Sequence, residues 1–421
     1  MKVLMLSTTD VSGGAAIAAH RLHKQLRLSN LDSRMLVQDK LTDEIHVESP
    51  VEKYRILKLK IGNVLEKLPF KLYPNRQKTT FYFQWAPGIS SEQINKYAKD
   101  IVHLHWICRG FMRIERLAQI KAPLVWTLHD MWPFTGGCNY SADCVNYRES
   151  CGSCPQLSGR NKNDLSNWVW RRKKRCWGKL NLTVVAPSNW MARCASESSL
   201  FAKHRIEVIP NGLDLNIFKP IDKELARQLL DLPKNRKLIL FGADFAFLDT
   251  RKGYHLLEET LLILKQRFKD PSIEIVIFGA SAPAEKQNLG FPVHYLGRFH
   301  DEISIALLYS AADVFIAPSL QDNLPNTIME ASACGTPCAA FRIGGIPDLI
   351  EDRETGYLAS PGDSNDLAFG VEWLLCDLKR YKTLADKSRH KSENEFSVEM
   401  SAKRYRSLYE EVINNYNETQ K

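Results

Sequence analysis

The chain has 421 residues, of which 44% are hydrophobic and 25% are charged. This composition is typical of folded enzymes and excludes collagen-like, coiled-coil and disordered chains. At about 100–200 residues per domain, the length predicts two domains. No apolar run approaches the roughly 20 residues that span a bilayer. The apolar stretch Val3 to Leu6 is also too short for a signal peptide, so the sequence predicts a cytoplasmic protein.

Positive charge is concentrated in the first half of the chain. Residues 1–218 carry 32 Lys and Arg against 18 Asp and Glu, whereas residues 219–421 carry 25 against 30. Two clusters, at 51–80 and 160–180, hold eight basic residues each. Such patches attract the phosphates of nucleic acids, anionic lipids or phosphorylated substrates. A solvated face that aids solubility explains either cluster equally well.

Short apolar runs alternate with longer helical stretches along the chain. The predicted strands are Val3–Leu6, Arg34–Val37, Ile101–Leu104, Leu124–Leu128, Leu182–Ala186, Ile206–Ile209, Lys237–Phe241, Ile273–Phe278, Val293–Leu296, Asp313–Ala317 and Pro337–Phe341. Near-continuous apolar strands that alternate with helices predict parallel sheets in an α/β fold. A proline-rich break near 210–236 divides the strands into two sets. The sequence therefore predicts two doubly wound domains with a ligand cleft between them.

The predicted domain boundaries follow from this break. The first domain covers residues 1–218 and includes an irregular, cysteine-rich and basic insertion at about 138–180. The second domain covers residues 219–395. Residues 396–421 form one amphipathic helix that we expect to pack back on the first domain.

The turn after the first strand contains Gly13 and Gly14 and leads into a helix rich in alanine. Glycine permits close approach of a ligand, and a helix N-terminus offers unpaired amides to an anion. The GxGxxG pattern of dinucleotide-binding proteins is absent. A purely structural turn explains these residues equally well.

A second loop places two acidic residues after the strand that ends at Ala317. Asp322 lies in this loop, and Glu330 lies about one turn inside a helix that Pro325 and Asn326 introduce. The two carboxylates can converge on one binding site. The alternative is that Asp322 forms a turn and Glu330 is a surface charge.

Two further loops of the second domain suit a phosphate group. Arg251 and Lys252 precede a helix and could neutralise a diphosphate leaving group. Gly344 and Gly345 open another helix at the same expected sheet edge. In the first domain, His105 and His129 each follow a predicted strand, where α/β proteins bind ligands. A structural histidine explains His129 equally well.

Four cysteines, Cys138, Cys144, Cys151 and Cys154, follow the spacing C-x5-C-x6-C-x2-C. Only the last pair has the spacing of a zinc ribbon. Two interpretations stay open: a structural zinc site that orders the insertion, or reduced cysteines that pack in its interior.

Several segments resemble, in the same order, the retaining glycosyltransferases of the GT-B fold, family 4. They are LHDMWPFTGGC, APSNWMA, IPNGLDLNIF and PSLQDNLPNTIMEASACGTPCAAFRIGGIPDLI. The last segment contains the acid-x7-acid pattern of that family, with Asp322 and Glu330 as the two acids. The first segment is similar to the subset that acts in bacterial polysaccharide assembly. The resemblance covers nearly the whole chain and implies two Rossmann-like domains that face a central cleft.

The resemblance also implies a role for each candidate residue. Glu330 would bind the donor ribose, while Asp322 and the amides of Asn323 and Leu324 would hold the sugar. The remaining roles fall to five residues: Lys252 and Arg251 would stabilise the leaving diphosphate, Gly13 and Gly14 would approach the phosphates, and His129 would contact the sugar near its anomeric carbon. His129, Asp322 and Lys252 would thus be the catalytic residues, and the leaving phosphate would take the acceptor proton.

No Asp-x-Asp pair, which holds a divalent cation in the GT-A class, occurs in the chain. The resemblance therefore implies that catalysis needs no metal or other cofactor. Three departures from the family pattern concern the donor site. Asp322 replaces the more frequent glutamate, Asn-Leu replaces Gly-Phe-Gly, and Phe241-Gly242-Ala243-Asp244 lacks a frequent arginine.

The function expected from the resemblance is hexosyl transfer from a nucleotide-diphosphate sugar. The acceptor would be a polysaccharide or a lipid-linked saccharide in the synthesis of cell-surface glycans such as exopolysaccharide. A GT-B sugar-nucleotide epimerase and a non-catalytic sugar-nucleotide-binding scaffold are the alternatives. Basic clusters that include Trp168, Trp170 and Trp177 favour an anionic membrane surface over nucleic acid. The protein would then be cytoplasmic or peripheral on the inner face of the plasma membrane. The sequence leaves open the base, sugar, acceptor, linkage and oligomeric state.

Overall fold

The computed structural model describes residues 1–49, 64–178, 180–242, 249–279 and 288–420. They divide into two compact units. The first unit comprises Met1–Pro210 together with Ser401–Lys421, and the second comprises Asn211–Met400. Each unit is built around one parallel β-sheet.

The first unit has a seven-stranded sheet with the order β3-β2-β1-β4-β5-β6-β7. Its strands are β1 (Lys2–Thr9), β2 (Asp32–Asp39), β3 (Val47–Glu48), β4 (Ile101–Leu104), β5 (Leu124–Thr127), β6 (Leu182–Ala186) and β7 (Arg205–Val208). Its helices are α1 (Gly14–Leu28), α2 (Ser91–Tyr97), α3 (Leu165–Trp177) and α4 (Asn189–Glu197). Nearly every residue of β1, β4, β5 and β6 is buried, because the central strands are covered on both faces.

The second unit has a six-stranded sheet with the order β10-β9-β8-β11-β12-β13. Its strands are β8 (Lys237–Gly242), β9 (Ile273–Phe278), β10 (Val293–Gly297), β11 (Val314–Ala317), β12 (Cys338–Phe341) and β13 (Gly356–Ala359). Its helices are α5 (Lys223–Leu229), α6 (Tyr254–Arg267), α7 (Glu302–Ala311), α8 (Asn326–Ala333), α9 (Ile346–Leu349), α10 (Ser364–Leu375) and α11 (Leu378–Glu395). In both sheets the strand order reverses direction beside the first strand of the unit, which is the topology of a doubly wound fold.

The predicted α/β class with two doubly wound domains is confirmed, and each predicted strand has a counterpart. Among the described residues, two strands have no counterpart in the sequence prediction. β3 is only two residues long, and β13, with the sequence Gly-Tyr-Leu-Ala, is short and begins with glycine. Neither has the apolar run of four to eight residues that identifies a strand from sequence.

The last helix, α12 (Val398–Gln420), begins where Ser397 Oγ accepts a hydrogen bond from Met400 N at 3.1 Å. From Ser401 onward it belongs to the first unit. Tyr405 and Tyr409, both at most 3% exposed, hydrogen-bond to side chains of β5 and β4 at 2.7 Å. These contacts attach the helix to the first sheet.

The units divide after Pro210, earlier than the boundary expected at 218 and 219. The reason is a backbone bridge next to the last helix. Leu213 N donates to Phe396 O at 2.8 Å, and Val398 N donates to Leu213 O at 3.0 Å. These bonds place the segment after Pro210 in the second unit.

Candidate active site

Three loops meet at the carboxyl edge of the second sheet. Gly253 has a φ of +71°, and a Cβ there would lie 1.8 Å from Pro318 O. Gly344 has a φ of +52°, and its Cβ would lie 1.9 Å from Asp322 O. Leu320 N donates to the carbonyl of the loop before α6 at 2.9 Å. The close approaches require glycine at both positions and hold the three loops together.

The loops bring three charged side chains into one group, which we call the charge cluster: Arg251, Lys252 and Asp322. Lys252 Nζ lies 2.7 Å from Asp322 Oδ2, and an Arg251 guanidinium nitrogen lies 3.7 Å from the same oxygen. Burial alone would raise the pKa of Asp322, but the positive charges of Lys252 and Arg251 outweigh it and hold this pKa below its usual value. Asp322 is therefore an anion, only 7% exposed, beside two cations.

Two further contacts fix the arginine of the charge cluster. Arg251 donates to Gln321 O at 2.9 Å and to Asp249 Oδ2 at 2.8 Å. Asp249 also caps the short turn that carries Arg251 and Lys252. The arginine side chain is thus positioned before any ligand binds. This pre-organisation reduces the entropy cost of binding an anion.

The two acids of the second loop are both buried. Glu330 is 6% exposed, which excludes the interpretation as a surface charge. Its Oε2 accepts a hydrogen bond from Tyr309 at 3.1 Å, so α7 orients the carboxylate on α8. Asn323 and Leu324 are also buried, and the Asn323 amide donates to Asp322 Oδ1 at 2.9 Å. The structure thus places Asp322, Asn323, Leu324 and Glu330 in one loop and the helix it leads into.

The sequence did not identify Tyr309 or Asp249 as part of this site. Tyr309 lies on the apolar helix α7, where its aromatic ring is indistinguishable from a core residue. Its hydroxyl reaches Glu330 only because α7 packs against α8. Asp249 precedes the basic pair, and its spacing to Thr250 and Arg251 is a recognisable capping pattern.

Two glycines begin α1 in the first unit. Gly13 has a φ of +88°, and a Cβ there would meet nothing within 4 Å. The turn therefore requires the left-handed conformation but not a close packing contact. Gly14 is the first residue of the helix, at an N-terminus whose first amides point away from the helix body.

His129 follows β5 at the carboxyl edge of the first sheet and is partly exposed. Its Nε2 lies 2.9 Å from Nδ1 of His105, which is only 3% exposed. The enclosed surroundings lower the pKa of His129 to about 4. The imidazole is consequently neutral near pH 7 and can donate or accept a hydrogen bond without carrying charge.

The four clustered cysteines line one cavity of about 20 Å³ in the first unit. Backbone amides approach two of the sulfurs: Gly136 N donates to Cys151 Sγ at 3.0 Å, and the amides of Leu157 and Gln156 face the Cys154 sulfur. Burial nevertheless raises the pKa of Cys151 to about 12 and that of Cys154 to about 11. In the part of the chain that the structure describes, no three His, Cys, Asp or Glu side chains are arranged to hold a metal ion. The zinc site therefore stays a prediction.

Metal analysis of the purified protein tests this prediction. If the cysteines bind zinc, we expect about one zinc per chain, and Cys144→Ser should lower that ratio because the site would lose one of four ligands. Cys376→Ser is the matched control, since this cysteine is exposed and lies in the second unit. Only a trace of metal in the unmodified protein would show that the four thiols are packing residues.

Within the ranges that the structure describes, no helix is both long and apolar enough to cross a membrane.

The chain matches two protein families. Residues 12–217 match the family described as Glycosyltransferase Family 4, and residues 236–377 match Glycosyl transferases group 1. The D-inositol 3-phosphate glycosyltransferase of Arthrobacter sp. (strain FB24) is 27% identical over 375 residues, which cover 87% of this chain and 82% of that protein. The protein of the same name from Paenarthrobacter aurescens (strain TC1) is 25% identical over 295 residues, which cover 66% and 65%.

Solved structures of similar fold match the chain over nearly its full length. Sucrose-phosphate synthase from Thermosynechococcus elongatus has a TM-score of 0.69 at 21% identity, covering 98% of this chain and 99% of that one. Anabaena HepE in complex with UDP and glucose has a TM-score of 0.64 at 20% identity, covering 98% and 100%. At this level of identity the likeness concerns the fold.

Proposed function

Because the chain belongs to the family 4 and group 1 glycosyltransferases and has the GT-B fold, we propose that it is a retaining hexosyltransferase whose donor is a nucleotide-diphosphate sugar. One observation carries the proposal: the charge cluster lies where the parallel strands of the second unit end, and the buried Glu330 lies on the helix that begins directly after the Asp322 loop. Ligands of doubly wound sheets bind at such an edge.

The charge cluster suits a diphosphate without a metal ion. Lys252 and Arg251 supply two positive charges, and the helix that begins at Asn326 adds the positive end of its dipole. On donor binding, Lys252 would turn from Asp322 to the diphosphate. The freed carboxylate of Asp322 would then accept hydrogen bonds from the sugar hydroxyls. The proposal accordingly requires no cofactor for catalysis.

The remaining candidate residues complete the donor site in this proposal. The carboxylate of Glu330 would accept hydrogen bonds from both ribose hydroxyls, since it can take two donors at once. Asn323 and Leu324 would border the sugar. Gly13 and Gly14 would offer backbone amides to the phosphates, and His129 would contact the sugar near the anomeric carbon as a neutral imidazole.

The reaction would proceed on one face of the sugar. The bond between the anomeric carbon and the phosphate oxygen breaks, and the acceptor oxygen bonds to that carbon from the same side. The acceptor hydroxyl gives its proton to the departing phosphate oxygen, so the products are a glycoside of retained configuration and a nucleoside diphosphate. Lys252 and Arg251 would stabilise the negative charge that develops on the leaving group.

We further propose an acceptor that is a polysaccharide or a lipid-linked saccharide used in cell-surface glycans. The excess of Lys and Arg over residues 1–218 favours an acceptor with a negative group such as a phosphate. Two similar proteins, the inositol 3-phosphate enzyme and sucrose-phosphate synthase, have phosphorylated compounds in their names.

The test is release of nucleoside diphosphate with and without an acceptor. A thermal-shift screen of UDP-, GDP- and ADP-sugars first identifies the donor. A glycosyltransferase releases nucleoside diphosphate in proportion to the acceptor consumed, and NMR of the product shows the donor's anomeric configuration. Interconversion of the donor sugar without acceptor would instead identify an epimerase, and binding without turnover would identify a scaffold.

Membrane docking is a separate part of the proposal, and the exposure of each side chain limits which of them could contact a membrane. Of the basic cluster at 160–180, Arg171, Lys174 and Arg175 are exposed beside Trp168, which is 41% exposed. Four other side chains of α3 point inward: Arg172, Lys173, Trp170 and Trp177 are all at most 8% exposed. The prediction that all three tryptophans serve the membrane surface is therefore wrong for Trp170 and Trp177. Helical periodicity turns these two toward the core. Residues 51–63 of the other basic cluster lie outside the described residues.

We expect the protein to float with vesicles that contain anionic lipid at low salt. Replacing Arg171, Lys174 and Arg175 with glutamine should release it, since each basic residue near such a surface contributes about 1 kcal/mol. Glutamine at Lys379, Lys382 and Lys387, three exposed residues of α11, is the control for the loss of charge alone. Absence of flotation at low salt, or equal loss with both triple variants, would contradict docking through α3.

A further inference from the structure

A column of three histidine rings lies at the carboxyl edge of the first sheet. His103 lies in β4, His105 directly follows it, and His129 follows β5. The ring centroids of His103 and His105 are 4.1 Å apart, and those of His105 and His129 are 5.2 Å apart with nearly parallel planes. His103 and His105 are buried, whereas His129 is partly exposed.

The backbone that carries the middle ring is fixed in the sheet. His105 N donates to Leu6 O at 2.9 Å, and its carbonyl accepts from Trp126 Nε1 at 3.0 Å. Its ring lies between those of His103 and His129. The position of its Nδ1, 2.9 Å from His129 Nε2, is therefore set by the sheet and not by the ligand.

The far end of the column is attached to the last helix. Nδ1 of His103 lies 2.7 Å from the Tyr409 hydroxyl, and its Nε2 lies 2.7 Å from Thr127 Oγ1. Thr127 in turn bonds to Tyr405 at 2.7 Å. Both nitrogens of His103 are thus engaged, so this ring is a fixed support for His105.

The hydrogen bond between His105 and His129 has a preferred direction. Two neutral imidazoles can share it only if one donates and the other accepts. Nε2 of His105 is buried and has no hydrogen-bond partner among the described residues. A proton there would be an unpaired buried N–H, which is rarer and costlier than an unpaired acceptor. The favoured arrangement has the proton on Nδ1 of His105, where it is donated to Nε2 of His129.

We propose that His105 is a positioning residue that orients the His129 ring and fixes its proton on Nδ1. The inference deepens the proposed function, because it rests on His129 contacting the donor sugar. A fixed, neutral His129 would present its ring to the sugar at a defined place. Without His105, Nε2 of His129 would lose its donor, and the alignment of the ring with the reacting groups would be disturbed.

Selective ¹⁵N-histidine labelling tests the tautomer in the free protein. Protonated and unprotonated ring nitrogens of a neutral histidine have widely separated ¹⁵N shifts, and the His129 signals can be assigned by their absence in His129→Ala. We expect His129 to carry its proton on Nδ1. In His105→Leu the signals should show a mixture of tautomers. In His105→Asn, whose side-chain amide can donate from a place near the former Nδ1, the single tautomer should return.

Activity of the same variants tests the consequence. His105→Leu should lower kcat about 10- to 100-fold, as misplacement of a reacting group does, with little change in KM for the donor, and His105→Asn should restore most of the loss. His23→Leu is the matched control, because His23 is a buried histidine of the same unit whose Nδ1 lies 2.8 Å from Ser33 Oγ.

The outcomes separate the inference from the function on which it rests. A His129 proton on Nε2 in the unmodified protein overturns the inference. So does a loss of kcat in His105→Leu no larger than that in His23→Leu. Full activity of His129→Ala would overturn the role of His129 in the proposed function, whatever tautomer the spectra show.

Discussion

Replacing Lys252 with alanine is expected to lower kcat about 100- to 1,000-fold, the usual effect of removing one group that stabilises charge in a transition state. The reason is the position of Lys252 in the charge cluster, 2.7 Å from the Asp322 carboxylate that it would leave for the diphosphate. Steady-state kinetics with the identified donor measure the effect. Asp322 keeps Arg251 as a partner at 3.7 Å, so we expect the variant to fold.

The chain offers a closely matched control at the opposite edge of the same sheet. Asp313, just before β11, accepts from Lys223 at 2.7 Å and from Arg227 at 2.7 Å, an acid with one lysine and one arginine like the charge cluster. Lys223→Ala should lower Tm and leave turnover unchanged. If Lys252→Ala kept nearly full turnover, the assignment of the leaving-group site to the charge cluster would be wrong.

A second large effect is expected at Glu330. Glu330→Ala, which removes the acceptor of both ribose hydrogen bonds, should weaken binding of the nucleoside diphosphate about 100- to 10,000-fold. Hydrogen bonds to a charged group contribute about 1.5–3 kcal/mol each, and each 1.4 kcal/mol corresponds to about a factor of ten. Isothermal titration calorimetry measures this affinity directly. Glu330→Gln keeps one acceptor oxygen but no charge. Its affinity for the nucleotide should therefore lie between that of the unmodified protein and that of Glu330→Ala.

Two variants distinguish a ribose contact from a general loss of structure. Tyr309→Phe removes only the hydroxyl that donates to Glu330 Oε2 at 3.1 Å, and it should weaken binding less than Glu330→Ala. Glu274→Ala removes a mostly buried glutamate of β9, paired with His294 at 2.7 Å, and should not change affinity for the nucleotide. Unchanged affinity in Glu330→Ala would contradict the ribose role.

His129 and the cysteine cluster show that a sequence pattern can predict where a residue lies without predicting the geometry of a site. Both were recognised because a reactive residue type followed a strand or recurred at short spacing. For His129 the strand end sufficed to place it at the carboxyl edge of a sheet, because parallel strands all end on the same side. The four cysteines are close in sequence, and they line one cavity. Whether their sulfurs have the geometry of metal ligands depends on how the irregular segment between them folds.

The sequence by itself determined the α/β class, nearly all the strands, the last helix, and the loops that carry Arg251, Lys252, Asp322 and Glu330. Buried parallel strands and their crossover helices have local signatures, since each strand must be apolar and each turn needs its own residue types. Only the tertiary structure decided that Asp322 is paired with Lys252, that Tyr309 orients Glu330, that His105 contacts His129, and that half of the basic helix α3 faces the core. Each of these depends on which side chains from distant segments meet, and neither hydrophobic periodicity nor turn chemistry specifies that.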